Sequence, residues 1–150
     1  MIGATPGVPD RTMSANSTGT APRGRKKRKE TYRVTSHPVS AGLVERAERL
    51  YRERRRRDAR MAGTTELFGE PSWDMLLDLF IAQGRARPVS VSSACIASST
   101  PQSTALRYVK LLEKMGLIRR AKDPQDGRRQ YLELTEFGLS NMEAYLSDAG

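Results

Sequence analysis

The sequence predicts a mainly helical protein with a small β-hairpin, an α+β fold, and two observations lead to this prediction. A run of helix formers follows Thr100 and Pro101 and ends at Gly116, as expected for a helix with a proline at its start and a glycine after its end. Strand formers then flank the turn-forming segment 123–127, a pattern typical of a two-stranded ribbon. The length of 150 residues suits one modest domain and a tail.

Residues 1–38 are predicted to be a disordered basic arm. They are rich in Gly, Pro, Ser and Thr and contain few large apolar residues, so burial of apolar surface cannot offset the entropy of ordering them. The block 23–29 reads RGRKKRK and is dense enough in charge to contact phosphates with little dependence on sequence. A solvated, solubilising charge run is the alternative, and both interpretations stay open.

Residues 39–61 predict an amphipathic, arginine-rich helix that Ser40 is placed to cap. Its apolar stripe consists of Val44, Ala47, Leu50 and Tyr51. The helix is interpreted either as a dimerisation or docking helix, whose basic outer face adds phosphate contacts, or as a packing helix with an ordinary charged exterior. The pairs spaced for i to i+4 attraction are Glu45/Arg49, Glu48/Arg52 and Glu53/Arg57.

After a break at 62–65, apolar residues recur at helical spacing and predict a core helix over 71–83. Trp73 belongs to this stripe, which favours packing over contact with a ligand. The segment 87–91 is short and β-branched, which is typical of a brief strand, and we expect that strand to pair with the ribbon.

Two helices separated by a tight polar turn are predicted next. Thr100 is placed to cap the second helix, and Pro101 is preorganised for its first position. Ser92 is placed to cap the first helix, which spans 93–98 and has as candidate packing residues Ala94, Ile96 and Ala97.

Strands over 117–122 and 129–134 are predicted to form the hairpin, and Thr135 opens a last helix to about residue 146. Residues 62–150 therefore contain a helix, a turn, a second helix and a hairpin in the order of a winged helix-turn-helix. That architecture presents one helix to the major groove of DNA and a basic loop to the backbone or minor groove.

The positive charge is concentrated in the first part of the chain. The whole chain carries +9, but residues 1–60 hold 16 Lys and Arg against 6 Asp and Glu, a net of +10, and residues 61–150 hold 10 against 11, a net of −1. The folded part must therefore bind DNA through cations placed locally on its surface.

Several classes of protein are disfavoured. A single cysteine rules out an intramolecular disulfide, and no signal peptide or membrane span is evident, so we expect a cytoplasmic, nucleoid-associated protein. No nucleophile–base pair, carboxylate pair, phosphate-binding loop or cofactor motif is present, so no enzyme is predicted. Asp123 and Asp126 lack the ligand spacing of a calcium loop, and Cys95 in a short helix is interpreted as a buried apolar residue.

The runs Thr104–Arg120, Asp123–Arg129 and Leu132–Gly138 resemble the winged helix-turn-helix of MarR-type bacterial transcription regulators, in particular a variant from alphaproteobacteria. The resemblance covers roughly residues 70–146 and implies sequence-specific binding of double-stranded DNA by a homodimer. The long C-terminal helices that form the dimer in this family have no counterpart before Gly150. The arginine-rich helix is the alternative interface, and no small-molecule effector is indicated.

The recognition helix is expected over about 101–115. One face carries the candidate DNA contacts, and the opposite face, with Ala105, Val109 and Leu112, packs on the core. Gln102 suits adenine, Arg107 guanine and a Leu106 side chain a thymine methyl group. The candidate contacts on this helix are Gln102, Ser103, Thr104, Leu106, Arg107 and Lys110.

The wing is expected over about 123–129. The resemblance implies that Arg128 enters the minor groove, with Arg129 as the second candidate. Asp126 is expected to pair with one of these arginines, and Gly127 to permit the turn. Two other functions remain open: a nonspecific nucleoid-type DNA binder driven by the basic N-terminal half, and a winged-helix module that binds proteins.

Overall fold

The computed structural model describes residues 32–34, 37–61 and 65–148. Six helices and three strands follow one another along these residues. They are α1 (Ala41–Arg60), α2 (Thr65–Phe68), α3 (Pro71–Gly84), β1 (Val89–Ser90), α4 (Val91–Ala97), α5 (Gln102–Lys114), β2 (Ile118–Lys122), β3 (Gln130–Leu134) and α6 (Glu136–Asp148). The predicted α+β class and winged-helix architecture are confirmed. The arm predicted over 1–38 lies outside the described residues except for 32–34 and 37–38.

Helix α1 packs its apolar stripe on α3, as predicted. Val44 and Ala47 are fully buried, and Gly84 of α3 leaves room for Val44, because a Cβ at that position would overlap the valine side chain. The cap differs from the prediction, since the Ser40 carbonyl accepts the amide of Val44 but its hydroxyl makes no capping hydrogen bond. Apolar packing thus brings α1 against α3 at this end of the helix.

The three i to i+4 ion pairs expected along α1 are not formed, and two of their members have other partners. Glu48 pairs with Arg85 at 2.9 Å, and Arg57 pairs with the adjacent Asp58 at 3.0 Å. Arg57 also donates to the carbonyl oxygen of Phe68. Other partners replace the expected ones readily, because an exposed i to i+4 pair is worth only about 0.3 to 0.5 kcal/mol.

Helix α3 forms the centre of the core, and its predicted span was short by one residue. Met75, Leu77 and Phe80 are completely buried. Trp73 packs edge-on against Tyr145 of α6, with ring centroids 4.9 Å apart, which confirms its structural role. Helix α6 extends two residues past its predicted end.

The caps of the helix-turn-helix are displaced from the predicted positions. Ser90, not Ser92, caps α4 by accepting the amide of Ser93 at 3.1 Å. Pro101 occupies the position before α5, and the Thr100 hydroxyl bonds that of Ser98 instead of capping. In this serine-rich stretch several hydroxyls compete for the same amide, so local sequence does not select among them.

Ile96 was expected to pack, but 79% of it is exposed. Helix α4 is only two turns long, and Ala94, Cys95 and Ala97 already cover its inner side, so the adjacent position points outwards.

The three strands form an antiparallel sheet in the order β1-β3-β2, and both predicted strands of the hairpin are confirmed to within one residue. Ala121 faces Tyr131 and Ile118 faces Leu134, while Val89 of β1 faces Leu132. The brief first strand therefore joins the ribbon, as expected, and fixes the start of α4 beside the wing.

Candidate nucleic-acid interface

The two faces of α5 divide as its periodicity predicts. Ala105 and Val109 are fully buried and Leu112 is 4% exposed. Four polar side chains are exposed on the outer side, namely Gln102, Ser103, Arg107 and Lys110. None of the four forms a side-chain hydrogen bond or ion pair with another described residue, so all of them are available to a partner.

Two of the predicted contacts on this helix are less exposed. Leu106 is half-buried and packs against the core, which leaves only part of its side chain at the surface. Thr104 is also half-buried and lines a cleft of about 290 Å³ with Tyr108 and Pro71. Thr104 therefore lies at the edge of the exposed face, not at its centre.

The cations of residues 65–148 fall into two groups. Four arginines are held in ion pairs with carboxylates: Arg85 with Glu48, Arg87 with Asp78, Arg119 with Glu133 and Arg120 with Glu113. Six cations form no ion pair with any described residue: Arg107, Lys110, Lys114, Lys122, Arg128 and Arg129. The second group lies wholly on α5 and the hairpin. Although the net charge of this part of the chain is slightly negative, its uncompensated positive charge is therefore concentrated on these two elements.

The wing is held by hydrogen bonds that the sequence did not suggest. The Asp126 carboxylate accepts the backbone amide of Arg128 at 3.0 Å, so the expected side-chain pair between Asp126 and an arginine is wrong for Arg128. A backbone donor two residues away is closer than a guanidinium, as in an Asx turn. Gly127 was expected to permit the turn, but Gly116 is the glycine with positive φ among the described residues, at +73°.

The two arginines of the wing differ in their surroundings. Interaction with Tyr131 raises the pKa of Arg129, and the charge of Asp123 adds to the effect. The Tyr131 hydroxyl donates to Asp123 at 3.0 Å. Arg128 is exposed and its guanidinium has no partner among the described residues. Arg128 is therefore the freer of the two side chains.

A cleft of about 410 Å³ separates the wing from the start of α4. Arg128 and Arg129 line one side, Ser92 lines the other, and Arg120 lies at its base. Arg120 also links α5 to β3, because it donates to Glu113 at 2.8 Å and to Gln130 at 3.0 Å. Arg120 is one of the cations expected on this surface, whereas Ser92 was not among the predicted site residues. The predicted pairing of 87–91 with the ribbon was the sequence signal that places Ser92 beside the wing.

Helix α1 turns two of its arginines towards the core, while others remain exposed on its outer face. Arg54 donates to Asp74 at 2.5 Å and pairs with Glu70, and Arg55 lies 3.2 Å from the second oxygen of Asp74. Burial alone would lower the pKa of Arg54, but the hydrogen bond and charge of Asp74 outweigh it, with help from Glu70, and raise the pKa. Both arginines are therefore engaged in ion pairs within the fold.

Cys95 is buried, as the sequence predicts. Cys95 is 5% exposed, and burial raises the pKa of its thiol more than the charge of Arg120 lowers it. Within residues 32–34, 37–61 and 65–148, no group of three or more His, Cys, Asp or Glu is arranged to hold a metal ion. No helix in that part of the chain combines the length and apolarity that crossing a membrane requires.

Residues 73–138 match the family model of the winged helix DNA-binding domain, which is a DNA-binding fold and not an enzyme family. No relative matches among curated proteins. The resemblance to a winged helix-turn-helix is thereby confirmed for this part of the chain.

Solved structures with a similar arrangement include the S. aureus MepR–DNA complex, which is 24% identical, covers 66% of this chain and 78% of that chain, and has a TM-score of 0.46. MepR is a MarR-family regulator. A probable transcriptional regulator from Pseudomonas aeruginosa is 22% identical, with 71% and 75% of the two chains covered and a TM-score of 0.44. A protein from Archaeoglobus fulgidus is 17% identical, with 57% and 91% covered and a TM-score of 0.47.

Proposed function

We propose that this chain, whose residues 73–138 match the model of the winged helix DNA-binding domain, is a sequence-specific transcription regulator of the MarR type. Helix α5 enters the major groove, the wing contacts the minor groove, and the protein acts at the nucleoid in the cytoplasm. The observation that carries the proposal is that, within residues 65–148, the cations without an ion pair all lie on α5 and the hairpin.

The polar groups on α5 suit the reading of base edges. The guanidinium of Arg107 has the fork geometry that matches the O6 and N7 atoms of guanine, and the Gln102 amide matches the N6 and N7 atoms of adenine. Both side chains are exposed and project from a rigid helix whose opposite face is buried. Ser103 and Lys110 flank them and are assigned to phosphates, which position the helix without selecting sequence.

The wing supplies the second set of contacts. Arg128 projects from a turn that Asp126 holds, and it is assigned to the minor groove. Arg129, Ser92 and Arg120 border the adjacent cleft, whose positive charge suits a DNA phosphate. Leu106 and Thr104 are assigned to the edge of the interface because half of each is covered.

We assign a homodimer to this function, since two copies on a pseudo-palindromic site double the sequence that is read. Exposed apolar side chains at the end of α1 and in α2 support an interface there: Met61, Leu67 and Phe68. Sedimentation of the full chain with and without DNA tests this assignment. A protein that stays monomeric on its selected duplex contradicts it.

The function is tested by selecting bound sequences from random duplexes with the full chain. Arg107→Ala and Arg128→Ala are each expected to lower affinity for the selected duplex by about tenfold, the loss of one good contact. Arg85→Ala is the matched control, because Arg85 is exposed but pairs with Glu48 away from α5. If the wild-type chain binds the selected duplex no tighter than random DNA, the proposal fails.

A nonspecific nucleoid-type binder remains the second candidate, favoured by the net charge of +10 over residues 1–60. Deleting residues 1–31 separates the two functions. Under the leading proposal the deletion lowers affinity for all duplexes by a similar factor and keeps the preference for the selected one. Under the alternative it abolishes binding, and a winged-helix module that binds proteins shows no DNA retention at low salt in either form.

A further inference from the structure

The turn between α4 and α5 contains a serine in a backbone conformation that favours glycine. Ser99 has φ +53°, in the left-handed region where a Cβ is crowded by the backbone. A glycine would adopt this conformation without strain. The serine hydroxyl makes a hydrogen bond that glycine could not make, and this contact offsets the strain.

That side chain is bound by the N-terminal helix. The Arg55 guanidinium donates through Nη1 to the Ser99 hydroxyl and through Nη2 to the carbonyl oxygen of Ala97, the last residue of α4. The Tyr51 hydroxyl, one turn earlier on α1, also donates to the Ala97 carbonyl, at 3.4 Å. Helix α1 thus contacts the turn of the helix-turn-helix through two residues that lie one helical turn apart, Tyr51 and Arg55.

The guanidinium of Arg55 is itself held in place from two sides. Nη2 lies 3.2 Å from Asp74 Oδ2, and the guanidinium carbon lies 4.8 Å from the centre of the Tyr51 ring. Asp74 is 1% exposed, and its other oxygen accepts Arg54 Nε at 2.5 Å. Because a buried carboxylate on α3 orients the arginine, the position of the turn is fixed relative to the centre of the core.

We propose that Arg55 is a positioning residue that sets the orientation of recognition helix α5 through Ser99, so that α1 serves specific DNA reading without touching the bases. The proposal rests on the proposed function. Ser99 lies three residues before Gln102, the first residue of α5, and a shift of the turn moves the base-contacting side chains with it. Base contacts require geometry held to about 0.5 Å, whereas contacts to phosphates tolerate more displacement.

The test compares Arg55→Met with Arg56→Met in the full chain. Arg56 is the next residue on α1, is exposed and has no partner among the described residues, so it is a matched loss of one charge. Affinities are measured for the selected duplex and for a random duplex of equal length, at a temperature where circular dichroism shows all variants folded.

Arg55→Met is expected to lower affinity for the selected duplex by about tenfold while changing affinity for random DNA by less than about twofold. Arg56→Met leaves the ratio of the two affinities unchanged, because it removes at most a phosphate contact. Arg55→Lys restores part of the ratio, since one ammonium cannot reproduce the planar fork that spans Ala97, Ser99 and Asp74.

Ser99→Gly provides the second variant, because it removes the hydroxyl while relieving the backbone conformation and so does not threaten folding. It is expected to lower the ratio of selected to random affinity, and the double variant with Arg55→Met should lose no more than Arg55→Met alone. Additive losses, or an unchanged ratio in Ser99→Gly, overturn the proposal.

The outcomes separate this proposal from the proposed function. If the wild-type chain has no preference for any duplex, the proposed function fails before any variant is compared. If wild type has the preference and a folded Arg55→Met keeps it, the positioning role is wrong while the function stands. If Arg55→Met does not fold, Ser99→Gly decides, since it must lower the ratio.

Discussion

The carboxylate of Asp126 accepts the backbone amide of Arg128 at 3.0 Å, and this hydrogen bond shapes the tip of the wing. The carbonyl oxygen of Asp126 also accepts the amide of Arg129, at 2.9 Å, so one residue orders both arginines. The Arg128 side chain then projects from a fixed backbone while its guanidinium stays free. The acidic residue therefore contributes to a basic site through backbone geometry, not by neutralising its charge.

Asp126→Ala should loosen the wing. We expect a loss of about 0.5 to 1 kcal/mol in the free energy of unfolding, and a two- to fivefold loss of affinity for the selected duplex, roughly what one solvated hydrogen bond contributes. Urea unfolding and titration of the duplex measure the two effects. Asp126→Asn keeps an acceptor oxygen and should stay near wild type, so an equal loss in both variants would show that charge, not geometry, is what matters.

Asp123 gives the hairpin a dependence on acidic pH. The backbone amide of Gln125 lowers the pKa of the Asp123 carboxyl most, and the hydroxyl of Tyr131 lowers it further. Because the folded pKa lies below the usual value of about 3.9, the stabilisation is fully present above that value and is lost as pH falls through the folded pKa.

Urea unfolding of wild type and Asp123→Asn between neutral pH and about pH 2.5 tests this behaviour. The excess stability of wild type should be constant near neutrality and should shrink once the pH drops below the usual carboxyl pKa of about 4. An excess that does not change over this range contradicts the assignment of the hydrogen bonds to the ionised carboxylate.

Gly138 is required by a close approach between α6 and Leu117, the residue before β2. A Cβ at this position would overlap the carbonyl oxygen of Leu117, which is backbone and cannot move without shifting the strand that follows. Gly138→Ala should therefore cost at least about 2 kcal/mol in the free energy of unfolding. Gly127→Ala is the control, because a Cβ there meets nothing within 4 Å, and its change should stay within about 0.5 kcal/mol. Equal changes in the two variants would contradict the steric explanation.

Much of the fold and the exposed face of α5 could be predicted from the sequence, because both depend on local periodicity. The 3.6-residue period that buries Ala105 and Val109 leaves Arg107 and Lys110 outside, whatever the rest of the chain does. The sequence pattern is sufficient here because both faces belong to one helix.

The features that local pattern could not predict depend on partners distant in sequence. Arg54 and Arg55 turn inwards because Asp74, about twenty residues later, is buried beneath them. The neighbouring residues of the arginine run do not indicate that these two side chains pair with Asp74. The positive φ of Ser99 was hidden for the same reason, since the residue that compensates it lies on α1. Such contacts are set by how helices pack, which periodicity does not specify.

The buried Asp74 makes α1 part of the folded domain and not a detachable appendage. Asp74→Ala would leave the guanidinium groups of Arg54 and Arg55 without their shared acceptor, and we expect a loss of about 3 to 5 kcal/mol in the free energy of unfolding. Asp78→Ala is the control, because Asp78 of α3 forms an ion pair with the exposed Arg87, which follows that helix, and its loss should cost at most about 1 kcal/mol. Urea unfolding distinguishes the two, and comparable small losses would mean that α1 is held by apolar packing alone. A large loss confined to Asp74→Ala would mean that the first role of the arginine run is to join α1 to the core. Contacts of its charge with DNA would then be secondary.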